Sequence, residues 1–325
     1  MKYSITQKRR GGIDVFSLRQ EGIAVARIVP QFGNNLIEFG IFHKSHWIPV
    51  LEPILEPIDF DTLFEKPTSY GNPILCPYPN RISNRRFQFE GHTYILDEPG
   101  RHGLVRDKPF KVDAKGASKK EGAWLKCSLN SEAFPTILRQ YPFPFILEVT
   151  YTLRDSTLEM LSIITNTSNR NMPLGFGIHP YFRRPSQGTI QVPAHKRWEL
   201  SNNLPTGRIW DVEGKYDLRQ PTELDDLILD DVFTDLDVIN GGLSQCVLDD
   251  KQTRIRIIIE FDATLFRDLV VYTPPSPRQA IAIEPYTCPP DAMNLKDKPD
   301  LDSHLIVLPP RNAITFLVRF IVKPY

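Results

Sequence analysis

The sequence predicts an all-β protein whose antiparallel sheets pack face to face, and three observations carry that expectation. Apolar residues recur with period two. Turn residues come at short intervals. Long amphipathic helical stretches are nearly missing, and no βαβ alternation suggests a doubly wound sheet or a (β/α)8 barrel. No internal repeat or linker-like change of composition interrupts the chain, so residues 1–325 read as one domain.

The elements follow in order. Phe87-Gln88-Phe89, a turn at Glu90-Gly91 and Thr93-Tyr94-Ile95-Leu96 read as a hairpin. Leu125, Cys127 and Leu129 alternate, which places Cys127 in the core. Leu147, Val149, Tyr151 and Leu153 lead through Asp155-Ser156 into Leu158–Ile164, a second hairpin. One stretch, Pro221–Ile228, carries a short helical pattern, with Leu224, Leu227 and Ile228 on one face. Ile255, Ile257, Ile259 and Phe261 alternate with Arg254, Arg256 and Glu260, a strand with one wet face. Ile314, Phe316, Val318, Phe320 and Val322 form a last strand, with Thr315 and Arg319 on its other side. The 29 prolines are spread between these runs and punctuate loops.

Composition narrows the function. With 39 basic and 39 acidic residues the formal net charge is zero, so there is no electrostatic footprint for nucleic acid or an anionic membrane. The pairs Arg9-Arg10, Arg85-Arg86 and Lys119-Lys120 read as surface. Cys76, Cys127, Cys246 and Cys288 lie far apart, without C-x-x-C or metal-ligand spacing, and read as reduced thiols. No apolar run approaches the ~20 residues that span a bilayer. The segment starting at Met1 lacks the apolar core of a signal peptide. The expectation is a cytoplasmic protein that uses neither metal nor cofactor. The sequence carries no mark of oligomeric state.

Two stretches point to chemistry: Gly175-Phe176-Gly177-Ile178-His179-Pro180-Tyr181-Phe182 and Ile281-Ala282-Ile283-Glu284-Pro285-Tyr286. Each ends a short apolar run with one ionisable residue followed by proline. A residue before proline is pushed into extended backbone. His179 and Glu284 therefore read as strand-end residues on stiff backbone. A His and a Glu presented this way can serve as proton donor and acceptor on one substrate. On spacing alone, two unrelated polar residues at strand ends is the competing reading.

Together with Pro79-Asn80-Arg81-Ile82, His102-Gly103-Leu104-Val105-Arg106-Asp107 and Leu229-Asp230-Asp231-Val232-Phe233, these blocks resemble the aldose 1-epimerase (galactose mutarotase) family. They come in the family's order across nearly the whole chain. The resemblance implies a large twisted antiparallel β-sandwich with a sugar-binding cleft across one sheet. It implies an isomerase that interconverts the α and β anomers of a hexose, a small-molecule sugar, by acid–base ring opening and reclosure. In that comparison Glu284 matches the general base and His179 the general acid. His102 matches a histidine that hydrogen-bonds near the ring oxygen, Arg81 an arginine on sugar hydroxyls, and Asp230 a carboxylate accepting from hydroxyls. Asp231 is the alternative register for that carboxylate.

The chain departs from the best-known members where Ile178 precedes the histidine in place of Asn, which leaves the sugar open. A hexose-6-phosphate substrate is an alternative, with Arg183-Arg184 or Arg85-Arg86 as the anion handle. A non-catalytic carbohydrate-binding sandwich is another. Negative charge from Glu284, with Asp230 nearby, is expected to move the His179 titration upward. His43, His46, His92, His195 and His304 read as structural. Trp47, Trp124, Trp198 and Trp210 read as packing residues, with sugar stacking as the alternative.

Overall fold

The computed structural model describes residues 2–54, 65–239 and 241–325, so Met1 of the N-terminal segment lies outside the described residues. Two large antiparallel sheets dominate. The first runs, in hydrogen-bonded order, through Thr222–Glu223, Gly188–Gln191, Leu243–Asp250, Ile255–Asp262, Ala313–Pro324, Thr157–Asn166, Phe145–Arg154, Gly122–Asn130 and Lys111–Ser118. The second runs through Leu204–Asp211, Ala194–Ser201, Asp230–Leu236, Asp268–Tyr272, Ala280–Tyr286, Gly177–Ile178 and Ile74–Leu75, and Tyr181–Arg183 also pairs with Ala280–Tyr286. A five-stranded N-terminal sheet over Tyr3–Pro49 adds a flank.

Period two explains the packing. In Phe145–Arg154 and Thr157–Asn166 every second side chain is buried, and the two strands pair as the predicted hairpin, Leu153 opposite Leu158. Their inner residues share one core with Ile281 and Ile283 of the second sheet. Aromatic pairs close the gap between the layers: Phe176 stacks on Phe316 at 4.7 Å and Phe182 meets Phe320 edge-on at 5.3 Å. This is face-to-face sheet packing. The hairpin of Arg86–Phe89 with His92–Ile95 and the last strand also form as predicted. The wet face expected for Ile255–Asp262 is partly covered, because Glu260 is tied down by Arg319 and Gln245. All four cysteines are buried free thiols.

The helix expected over Pro221–Ile228 does not form. Thr222–Glu223 joins the first sheet instead, opposite Ile190 and Thr189. The Arg184 guanidinium then donates to the carbonyls of Leu224, Asp225 and Leu227, the first of which a helix would pair with the Ile228 N–H. Leu224 and Leu227 are buried, but Ile228 is exposed. A helix this short is marginal in water, so sheet pairing and the arginine outweigh the pattern. Pro135–Gln140 and Ala292–Leu295 form α-helices of one to two turns. Among the described residues no helix is long and apolar enough to cross a membrane.

Candidate active site

The centre of the site is set by strand register. Gly177 lies opposite Tyr286, and Tyr181 lies opposite Ala282. Both pairs keep the same register along Ala280–Tyr286, which puts His179 opposite Glu284 in the gap between two short strands. Pro180 and Pro285 flank this gap, and neither has an N–H to lose there. The His179 amide donates outward, to the Pro73 carbonyl at 3.0 Å. Gly177 is required for the approach, since a Cβ there would lie 2.5 Å from the Tyr286 ring. His179 sits just past its strand, as expected. Glu284 does not: it lies inside Ala280–Tyr286, because Pro285 faces the gap and the strand continues through it to Tyr286.

Residues two apart on a strand share a face. Ala280, Ala282, Glu284 and Tyr286 therefore look one way, and Ile281 and Ile283 look into the core. The two alanines pack with Tyr181 and Tyr272 and leave space in front of the carboxylate. Glu284 is 1% exposed, with Oε1 3.4 Å from His179 Nε2. Its Oε2 accepts from the Tyr286 hydroxyl at 2.6 Å. The His179 ring stacks on Tyr181 at 4.5 Å and meets Tyr272 edge-on at 6.3 Å. Its Nδ1 is buried and has no hydrogen-bond partner among the described residues.

A second loop brings His102 to the same place. Its amide donates to the Asn80 carbonyl at 2.6 Å, and its ring centroid is 5.4 Å from that of His179. His102 has a left-handed backbone (φ 61°), and Gly103 follows at φ 70°, where a Cβ would lie 2.2 Å from the Cys76 carbonyl oxygen. Glycine is needed at that close approach. Arg106 reinforces the bend by donating to the carbonyls of Arg101 and Gly103.

Arg81 bridges to Arg101 through the backbone and donates from Nη1 to Asn80 Oδ1 at 3.0 Å. Asp230 sits opposite Tyr272 and accepts from Asn203 Nδ2 at 2.7 Å. Asp231 points to the other face, as adjacent strand residues must, and its carboxylate accepts the Asp230 amide at 3.2 Å.

These side chains line one cavity of about 180 Å3. Its walls are Thr68, Ser69, Asn80, Arg81, Arg101, His102, His179, Tyr181, Asp230, Val270, Tyr272 and Glu284. His179, Glu284, Arg81, His102 and Asp230, singled out in the sequence, are all in that wall. Asp231 is not. Arg101, Tyr272 and the Glu284 partner Tyr286 were not singled out. The alternation from Glu284 to Tyr286 could have marked the last. Tyr272 and Arg101 carry no local signal, since only the long-range pairing places them. The basic pairs lie elsewhere: Arg183 pairs with Asp250, Arg184 holds backbone carbonyls, and Arg85 pairs with Glu98 at 3.3 Å. Among the described residues no group of three or more His, Cys, Asp or Glu is arranged to hold a metal ion.

The sequence model of aldose 1-epimerase matches residues 45–310. The chain belongs to the aldose 1-epimerase family. Among curated proteins it is 24% identical to the uncharacterized protein YihR of Escherichia coli over 244 residues, 71% of this chain and 74% of that one. Among solved structures it is similar to a galactose mutarotase-like protein of Clostridium acetobutylicum. The TM-score is 0.90 at 20% identity, over 100% of this chain and 99% of that one. A galactose 1-epimerase of Lactobacillus acidophilus gives a TM-score of 0.78 at 17% identity, over 99% of both chains. The fold is the galactose-mutarotase-like sandwich.

Electrostatics correct one expectation. Burial, helped by the charges of Arg278 and Arg101, pushes the His179 imidazole down from 6.5 to about 3. Burial, aided by the charge of Asp230, holds the Glu284 carboxyl well above its ordinary value, and the Tyr286 hydroxyl opposes this only in part. His102 is pushed well below its ordinary value, first by burial and then by His179 and the nearby arginines. The expected upward movement of His179 is thus overturned, because desolvation dominates and the charges that act on the ring are those of arginines. Desolvation disfavours the charged form of both partners. One proton transfer, from Glu284 to His179, gives a carboxylate facing an imidazolium.

Proposed function

We propose that this protein is an aldose 1-epimerase that interconverts the α and β anomers of a free hexose, with Glu284 as base and His179 as acid. Glu284 first passes its proton to His179 across their 3.4 Å contact, and the carboxylate so formed removes the proton of the anomeric hydroxyl. His179 protonates the ring oxygen as the C1–O5 bond breaks, giving the open-chain aldehyde. Rotation about C1–C2 presents the other carbonyl face. The ring oxygen then attacks C1, His179 takes its proton back, and Glu284 returns a proton to the new anomeric hydroxyl. Each positioned proton transfer contributes about 10²–10⁴ in rate.

The observation that carries this reading is the 3.4 Å approach of His179 Nε2 to Glu284 Oε1 inside a small polar cavity. Its volume, about 180 Å3, is below the ~300–1,000 Å3 of drug-sized sites and favours a single sugar ring. Arg81, Asp230 and neutral His102 offer the donors and acceptors that sugar hydroxyls need. A purely binding sandwich has no use for a buried acid–base pair. A free hexose is favoured over a 6-phosphate because Arg183, Arg184 and Arg85, three of the arginines considered as a phosphate handle, are engaged elsewhere.

The test is α/β exchange measured by NMR on a panel of free and phosphorylated aldoses. Free hexoses should exchange at least as fast as their 6-phosphates. Exchange no faster than the buffer rate for every sugar would sink the proposal.

A further inference from the structure

A second, larger cavity lies on the same sheet face as the one described above. Along Asp230–Leu236, alternate residues share that face. Asp230 lines the first cavity, Thr234 lines the second, and Val232 between them is covered by Leu295 and Leu301. Four residues of strand separate the two by ~14 Å. The second cavity measures about 630 Å3.

Its walls have three properties. The first is an aromatic platform: Trp210 is 48% exposed, and its Nε1 donates to Glu199 Oε1 at 3.3 Å, which fixes the ring. Val238, 58% exposed, extends the apolar surface beside it. The second is charge balance: Lys196 and Arg267 stand against Asp211 and Asp235. Neither an anion nor a cation gains from such a wall, while both hydrogen-bond donors and acceptors are on offer. The third is an oriented histidine. His304 Nδ1 is 2.6 Å from the fully buried Asp268 carboxylate, whose other oxygen accepts from Trp198 Nε1 at 2.7 Å. The His304 side chain is 8% exposed. Its Nε2 makes no hydrogen bond among the described residues, Asp302 being 3.9 Å away. With Nδ1 committed as donor to Asp268, Nε2 is left as an acceptor for a ligand hydroxyl.

From these observations we infer that this cavity is a second, non-catalytic binding site for a neutral saccharide. A sugar ring has one apolar face for the Trp210 ring and a rim of hydroxyls that both donate and accept. It carries no charge to be repelled by either half of the wall. The volume falls within the ~300–1,000 Å3 range of small-molecule sites and accommodates more than one ring.

The test is titration of the protein with glucose, galactose, maltose, cellobiose and lactose, following the Trp210 indole N–H and the Thr234 and Asp235 amides by NMR. At least one neutral saccharide should shift all three saturably. Trp210→Ala, a surface change, should weaken the response of the two amides about tenfold or more, the scale of losing one aromatic contact surface. The same variant should leave anomer exchange unchanged. Three results would overturn the site: no saturable shift with any of these sugars, an unaltered amide response in Trp210→Ala, or much tighter binding of glucosamine or glucose 6-phosphate. Because the readout is local to Trp210, it stands whether or not the protein anomerises sugars.

Discussion

His179 and Glu284 face each other across a gap in the sheet, with Nε2 and Oε1 3.4 Å apart. The pairings on either side of the gap, Gly177 with Tyr286 and Tyr181 with Ala282, hold the same register. Two prolines interrupt the ladder without leaving a donor unpaired. The contact is therefore built by backbone geometry that the rest of the sandwich fixes, and the side chains are buried before any ligand arrives. Burial at this place disfavours both the imidazolium and the carboxylate.

The pH profile follows from that state. The working form of the pair carries one exchangeable proton. Activity should fall on the acid side as His179 takes a second proton, near about 3, and on the alkaline side as the raised Glu284 carboxyl loses its proton. The limbs belong to the pair as macroscopic values. Tyr286→Phe removes a hydroxyl that favours the ionised carboxylate. The alkaline limb of kcat/KM should then move to higher pH and the plateau should drop about tenfold, a loss of roughly 1–2 kcal/mol. A Tyr286→Phe profile that superimposes on wild type would remove Tyr286 from the site.

Sugar binding should separate the two neighbouring aspartates. Asp230 is in the cavity wall and Asp231 is turned away from it. Asp230→Asn should raise KM about tenfold with a smaller change in kcat, the cost of one charged hydrogen bond to a hydroxyl. Asp231→Asn should leave KM near wild type. Steady-state kinetics on both variants decides it, and the reverse ranking would place the wrong aspartate in the cleft.

Stability should vary with pH in opposite senses for the two central residues. Unfolded His179 takes up a proton near 6.5, whereas the folded residue resists until about 3, so its contribution is present above 6.5 and is lost as pH falls between those values. Folded Glu284 holds its proton to higher pH than the unfolded chain does, so its contribution is lost as pH rises above the ordinary carboxylate range. In urea unfolding at a series of pH values, His179→Asn should flatten the acid side and Glu284→Gln the alkaline side. Parallel curves for wild type and both variants would mean that neither group is shifted by burial.

Much of the architecture was legible because period two is a local signal. Leu147–Leu153 with Leu158–Ile164, and Ile314–Val322, declare their buried faces without help from the rest of the chain. The helical spacing of Leu224, Leu227 and Ile228 misled because the deciding partners, Gly188, Thr189 and Arg184, are more than thirty positions away. In the site, prolines after His179 and Glu284 marked extended backbone correctly, but they could not reveal that Glu284 lies within a strand. Arg101 and Tyr272 reach the cavity through pairings with Arg81 and with Asp230 and Ala282, which no local pattern encodes. The protonation of His179 is not legible in the sequence for a related reason. The burial of His179 and the approach of Arg278 and Arg101 to it are properties of the assembled sandwich, with no local mark in the chain.

The most direct measurement is the α/β exchange rate of a free hexose at neutral pH for wild type, Glu284→Gln, His179→Asn and the double variant, with unfolding midpoints taken alongside. If the two residues act as one acid–base unit, each single variant should remain folded and lose about 10² or more in rate, and the double variant should be hardly slower than the worse single. A folded single variant that exchanges anomers at close to the wild-type rate would contradict the assignment of His179 and Glu284 as the reacting pair.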